Sequence, residues 1–418
     1  LSPGTPTLKE SFRSFLRRNR IPLAVAVGAA CILAAFSGKR FLHQSKAPHF
    51  VYQAQAFLEG RLALPVDPPN QEDWVKIGDR FYVSFPAMPA VVMIPLVALW
   101  GFQLNDTSFT VFCAALVLAG FYLVLRRLSR EGDSKRSEWE NIAFTALLGF
   151  GTVFFYCAIR GEVWFTAQVM GVGFTSLYLL FAHRARRPVI AGLCWSMAVL
   201  TRTPLIFSGI FFLSEVLWPS GSLSEKEAFD GLKPKLKKLA LFAVGAAPLA
   251  LAHMAFNFVR FDSISEFGHR LLWNNRVNAD IARWGLFHYQ YLERNLTAAF
   301  TKLPTLSFHP FRIGYDPHGM SLLVTTPLLL LLLWPKVKPR LHRALWLTVA
   351  CTALPGFFYQ NDGYMQFGFR FSLDYTPFLV LLLALGGWSL RSRLFATLAV
   401  IGIAVNTWGA VAFHGYSW

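Results

Sequence analysis

A few cationic side chains in a mostly apolar chain have the chemistry to hold a phosphate. Arg202 stands in a Thr-Arg-Thr-Pro step between two apolar runs, Arg370 ends the segment Gln366-Phe367-Gly368-Phe369-Arg370, and His269 and Arg270 adjoin in a polar stretch. A guanidinium is planar, permanently charged and able to bind two oxygens at once. Arg370 and Asp374 are four residues apart, so at helical spacing a local ion pair is the alternative to substrate contact.

The acid–base candidates are Glu162 and His49. Glu162 falls in a short turn between two apolar runs, where an ionised carboxylate is expensive unless wet or paired, and Arg160 two residues away is its natural partner. An imidazole titrates near neutral pH, so His49 is either a base or the anchor of an interfacial helix. Arg80 and Tyr52 are further candidate substrate contacts in the same segment. Asp67, Glu72, Asp73 and Asp79 are near enough to contribute, a loop aspartate as base included, but read first as solvated loop charges, and Tyr315-Asp316-Pro317-His318-Gly319 reads as turn chemistry first and an acceptor-side contact second.

The elements that must position these groups are transmembrane helices. Of 418 residues 54% are hydrophobic and 15% charged, against about a quarter charged in soluble domains. Apolar runs of about 17 to 20 residues recur, each long enough to cross roughly 30 Å of hydrocarbon. The net charge of +17 lies in short clusters between these runs, which suits lipid headgroups and gives no nucleic-acid stripe. The five cysteines, Cys31, Cys113, Cys157, Cys194 and Cys351, sit in apolar segments without metal-ligand spacing.

Arg13, Arg17, Arg18 and Arg20 precede the first run, residues 21 to 38, which reads as a retained helix with a cytoplasmic N-terminus. Five further basic clusters, around Arg126, Arg184, Lys235, Lys338 and Arg391, are then cytoplasmic as well. This requires residues 87 to 101, with Pro89 and Pro95, to form an interfacial or re-entrant helix rather than a span. The expectation is an all-α polytopic protein of about eleven transmembrane helices, forming one membrane-embedded domain over 1 to 418 with the C-terminus outside. Its outer segments are 39 to 107, 257 to 319 and 359 to 374. Long segments of this kind are where a site belongs. Phe50, Ala54, Phe57 and Leu58 share one helical face, which predicts a surface helix ending at Gly60.

The stretch Tyr52-Gln53-Ala54-Gln55-Ala56-Phe57-Leu58-Glu59-Gly60, followed by Phe85-Pro86-Ala87-Met88-Pro89-Ala90, resembles the first outer loop of GT-C membrane glycosyltransferases. The likeness is to the family 39 type, the protein O-mannosyltransferases and aminoarabinose transferases of lipid A. It continues through Arg160-Gly161-Glu162-Val163-Trp164-Phe165, Arg202, Glu266-Phe267-Gly268-His269 and the Gln366 to Asp374 segment. The resemblance implies a GT-C fold with juxtamembrane helices on the outer face of a bacterial cytoplasmic membrane. It implies transfer of a sugar from a polyprenyl-phosphate donor to a glycan, lipid or protein acceptor. A carboxylate near the end of the first span acts as base and cations hold the departing phosphate. Where the family has an acidic residue ahead of the surface helix, this chain has Lys46-Ala47-Pro48-His49. The resemblance puts Glu162 in the position of a second functional carboxylate, and His49, where the chain departs from the family, is a candidate base by its own chemistry. The resemblance places Arg160, Arg202, His269, Arg270, Gln366, Arg370, Asp374, Arg80 and Tyr52 at substrate.

No metal motif and no Gly-rich nucleotide loop occurs, so no cofactor is expected, a divalent metal remaining compatible with the chemistry. The competing class is a non-catalytic binder of lipid-linked sugar or a lipid or polysaccharide transporter. A transporter places ionisable groups near mid-bilayer on broken helices, whereas here the chief interior ones, His253 and Glu215, lie near span ends.

Overall fold

A computed structural model describes residues 8 to 219, 231 to 273 and 278 to 413; the chain termini, and so the expected side of each, fall outside them. Among the described residues, five helices are long and apolar enough to cross a membrane: Asn19–Leu42, Asp106–Arg130, Val163–Ala185, Leu232–Phe261 and Arg393–Ala412. The other expected spans fold as shorter or broken pieces. Residues 140 to 157 break at Gly151 into Glu138–Phe150 and Phe154–Ala158, and the run 320 to 335 forms a short α turn, Leu322–Thr325, followed by a 3-10 segment, Pro327–Leu333. Proline at the start of the second piece lacks the amide that would continue the first. Thus the chain is a multi-pass membrane protein in which half-length apolar helices pack inside a cage of longer ones.

The basic clusters come together at one end of the bundle. Arg127 and Arg186 pair with Glu131, Arg184 with Asp133, and Arg340 bridges Asp133 and Glu215, while Arg136 donates to the Trp388 carbonyl. Lys235 reaches the Leu217 carbonyl at the same end. Every candidate site segment lies at the other. Helix Met88–Trp100 has both its ends on that second side: the Met88 amide donates to the Leu200 carbonyl, and Gln44 donates to the carbonyls of Phe102 and Leu104 just past its C-terminus. Its 13 residues reach only about 20 Å, short of the roughly 30 Å of hydrocarbon.

Two departures from an all-α fold occur in the outer segments. Residues 74–77 and 80–83 form the hairpin β1–β2, and residues 305–308 and 311–314 form β3–β4. The second follows alternating polar and apolar residues, Thr-Leu-Ser-Phe and Phe-Arg-Ile-Gly, a period-2 signal too short to stand out beside the helical runs, whereas Trp-Val-Lys-Ile and Arg-Phe-Tyr-Val in the first do not alternate. The helix at 49 to 58 forms as expected, but it is wedged against Met88–Trp100 rather than lying free, and Gln53 is buried along with Phe50 and Ala54.

Close packing of Pro188–Val199 against Leu232–Phe261 rests on two glycines. A Cβ on Gly192 would come within 2.0 Å of the Phe242 carbonyl oxygen, and one on Gly245 within 2.0 Å of the Val189 oxygen. Small residues of this kind let membrane helices approach backbone to backbone. Gly192→Ala and Gly245→Ala should each destabilise the solubilised protein by about 1–3 kcal/mol, read as a lowered melting temperature. Gly28→Ala, with nothing within 4 Å of its added Cβ, should leave it unchanged.

Candidate functional site

The side of the bundle opposite the basic clusters holds a cavity of 710 Å³. All three outer segments contribute walls: Asp73 and Phe85 from the first, His269, Arg294 and His318 from the second, and Tyr359 to Phe371 from the third. Trp164 and Gln168 on Val163–Ala182 and Arg202 complete it.

The buried cations are satisfied unequally. Arg202 donates Nε and Nη2 to the two oxygens of Asp374, at 2.9 and 2.7 Å. The expected local pair of Arg370 with Asp374 therefore does not form. Residues 370 to 374 are a 3-10 helix, in which positions four apart are about a third of a turn out of line. Arg370 is left with its Nη1 3.5 Å from the Met365 carbonyl and its Nε without a partner, while the Phe165 and Phe371 rings lie 5.3 and 5.7 Å from the guanidinium carbon. Among the described residues no carboxylate lies within 4.0 Å of it. A buried guanidinium with open donors is an anion site in waiting.

Asp73 lines the cavity with this cation, as do Glu72 and Asp362, and feels its charge. The Asp73 φ of 53° lies in the left-handed region, which aspartate tolerates at some cost. The strain is held from three sides: Ser84 donates to the Asp73 carbonyl at 3.0 Å, Trp164 Nε1 donates to its carboxylate at 2.7 Å, and Trp74 beside it is fully buried. Burial pushes the Asp73 carboxyl above its ordinary range, against the opposing pull of Trp164 and Arg370. Raised basicity is what a proton acceptor at neutral pH needs.

His49 and Glu162 stand outside the cavity lining. The His49 ring stacks on Trp74 at 3.7 Å and its Nε2 donates to the Glu72 carbonyl at 2.8 Å. It thereby clamps the Glu72-Asp73-Trp74 backbone. Burial drives its pKa down to about 4, so it is neutral at working pH. Glu162 receives Arg160 Nη2 at 2.5 Å and Nε at 3.1 Å, and Arg160 also donates to the Phe413 carbonyl. Burial pushes the Glu162 carboxyl up, but Arg160 outweighs this and holds it below its ordinary range. Of the two readings open for this pair, the geometry is that of a structural ion pair, and Gly161 between them packs so tightly on Thr107 that a Cβ would meet its amide nitrogen at 2.4 Å.

His269 lines the cavity beside Phe85, its pKa lowered to about 4 by burial and by Arg202. Gln366 lies behind the wall as a hub: its side chain donates to the carbonyls of Asp362 and His318 and accepts the Arg370 amide. Arg80, in the β1–β2 hairpin, and Arg270, 4.0 Å from Glu266, are exposed and off the cavity. Tyr52 packs on Trp74 and Phe102 instead. Asp73, read first as a loop charge, and His318, read first as turn chemistry, enter in their place together with Arg294 and Asp362, the last pairing with His318 at 2.7 Å. Their signal was only membership of the three outer segments. Among the described residues, the one group of three potential metal ligands within reach of a common ion is Glu131, Asp133 and His183, at the opposite end and hemmed in by arginines.

No protein-family model matches the chain, and no curated protein matches its sequence. Solved structures do match in shape. The Archaeoglobus fulgidus oligosaccharyltransferase in the apo form superposes with a TM-score of 0.51 over 95% of this chain and 56% of that one, at 13% identity. The same enzyme tethered to an acceptor peptide gives 0.47 at 14% identity, over 96% of this chain and 56% of that one. Its complex with an inhibitory peptide and a dolichol-phosphate gives 0.47 at 12%, with the same coverage. The chain thus spans little more than half the length of these structures, and the likeness is one of fold: it is a multi-pass membrane protein that shares the overall fold of the apo oligosaccharyltransferase structure.

The His49 environment sets a pH dependence. Its folded pKa of about 4 lies below the ordinary 6.5, so stability that is fully present above pH 6.5 is lost as pH falls toward 4, by about 3 kcal/mol in all. Thermal melts of the solubilised protein across that window should show the acid limb, and His49→Phe should flatten it while lowering the melting temperature at neutral pH.

Proposed function

We propose that this protein is a membrane glycosyltransferase that moves a sugar from a polyprenyl-phosphate-linked donor to an acceptor hydroxyl or amide, at the outer face of a bacterial cytoplasmic membrane. The observation that carries the reading is the unmatched Arg370 guanidinium lining the same cavity as the strained carboxylate of Asp73. The fold shared with the first structural match and the oligosaccharyltransferase name borne by that match support it.

The acceptor oxygen or nitrogen attacks the anomeric carbon as the bond from that carbon to the phosphate oxygen breaks. Asp73 takes the proton the acceptor gives up. Arg370 receives the charge growing on the leaving phosphate, with Arg202, already half neutralised by Asp374, behind it. Both groups are preorganised, so little reorganisation accompanies the charge movement. The roles first assigned to Glu162 and His49 become positional: one anchors the turn that leads into Trp164, the other clamps the Asp73 backbone.

The test is transfer of radiolabelled sugar from synthetic polyprenyl-phosphate donors by the purified protein. Asp73→Asn should lower kcat by about 10²–10⁴-fold. Arg370→Ala should lower kcat/KM by about 10²–10³-fold. Glu162→Gln should instead cut the yield of folded protein, with turnover per folded molecule largely kept. Donor binding without turnover by the wild type across a broad acceptor panel would establish the silent binder instead. Full activity in Asp73→Asn would remove the proposed base.

A further inference from the structure

The hairpin β3–β4 has a face that nothing among the described residues covers. Register pairs Leu306 with Ile313 and Phe308 with Phe311. Side chains alternate across a strand and directly paired residues share a face, so these four form one apolar surface. The opposite face carries Thr305, Ser307 and Arg312. Each of the four apolar side chains is more than half exposed.

The base of the hairpin tells what covers it. Lys302 and Asp316 close it with an ion pair at 2.7 Å. Ser321, which caps the apolar run beginning at Leu322, donates its amide to the Lys302 carbonyl and its hydroxyl to the Phe300 carbonyl. Tyr315 packs on Phe367 and on Trp408, near the C-terminal end of the span Arg393–Ala412. Both strands therefore spring from the level where one apolar segment enters the membrane and another leaves it. That level is marked by Tyr and Trp, the residues that settle at the water boundary. Four residues of strand reach only about 13 Å from it.

We propose that β3–β4 lies on the phospholipid leaflet at the cavity side, with Leu306, Phe308, Phe311 and Ile313 among the upper acyl carbons and Arg312 directed to headgroup phosphates. The hairpin has two open backbone edges, which cannot be buried in hydrocarbon without unsatisfied amides. It rests at the boundary and does not penetrate. The same stretch of chain carries Arg294 and His318 to the cavity, so leaflet contact holds that wall in place.

The test uses the full chain in lipid nanodiscs, with Cys31, Cys113 and Cys351 replaced by alanine and a fluorescent nitrobenzoxadiazole label on Phe308→Cys, Phe311→Cys or Ser307→Cys. The proposal expects blue-shifted emission at positions 308 and 311, severalfold more strongly quenched by lipids carrying a nitroxide near the headgroup than by a water-soluble quencher. Position 307 should show the reverse. Equal quenching of all three labels by the aqueous reagent would overturn it. So would a blue shift at 308 that appears only as protein concentration rises, which would assign the face to a second copy of the chain.

Discussion

A guanidinium withdrawn from water without a counter-charge is costly, and the way this chain meets that cost organises both ends of the bundle. Arg160 is closed by Glu162, Arg202 by Asp374, and Arg340 by Asp133 and Glu215. The Arg202 and Arg340 pairs join segments that would otherwise be independent, while Arg160 and Glu162 close within one turn. The Arg202 pair links residues 172 apart and fixes the step after Pro188–Val199 against the start of Thr376–Leu385. Arg260 and Arg370 are buried without a carboxylate; Arg260 is closed by the Val83 carbonyl and the Asn257 side chain, whereas Arg370 keeps an unpartnered Nε, and an unpaired buried donor of that kind marks a candidate functional site.

The polar scaffold around Arg370 exists to keep it so. Gln366 receives its amide and holds the Asp362 and His318 carbonyls, and Gly363, at φ 90°, and Gly319, at φ 93°, pack on the Gln366 side chain where a Cβ would collide. His49, Trp74 and Trp164 do the same for Asp73 through a stacked ring and two hydrogen bonds. A site built this way holds its geometry before substrate arrives, which is the condition for electrostatic stabilisation of a transition state.

The half-length helices follow from the same need. A cavity bordering the apolar layer requires non-helical backbone near the membrane, tolerated only where protein or a water-filled space satisfies it. The breaks at Gly151, at Arg202 and at Thr326 fall beside or behind the cavity wall, and the Asn406 side chain donates to the Thr325 carbonyl beside one of them.

Composition determined, unaided, that this is a multi-pass membrane protein, and the basic clusters picked out by their spacing are the ones that gather at one end of the bundle. These are properties of transfer free energy and of local charge, which a linear chain carries in full. The candidacy of Arg202, Arg370 and His269 was legible too, because a cation in an apolar surrounding is conspicuous anywhere. Tertiary structure alone decided which candidates are open. Glu162 and His49 looked reactive by type and are closed by Arg160 and by the Glu72 carbonyl, while Asp73 looked like an ordinary loop charge and is set in the cavity by a tryptophan 91 residues away. Reactivity in a buried site is a matter of what remains unpaired, and pairing across such separations is written in no local pattern.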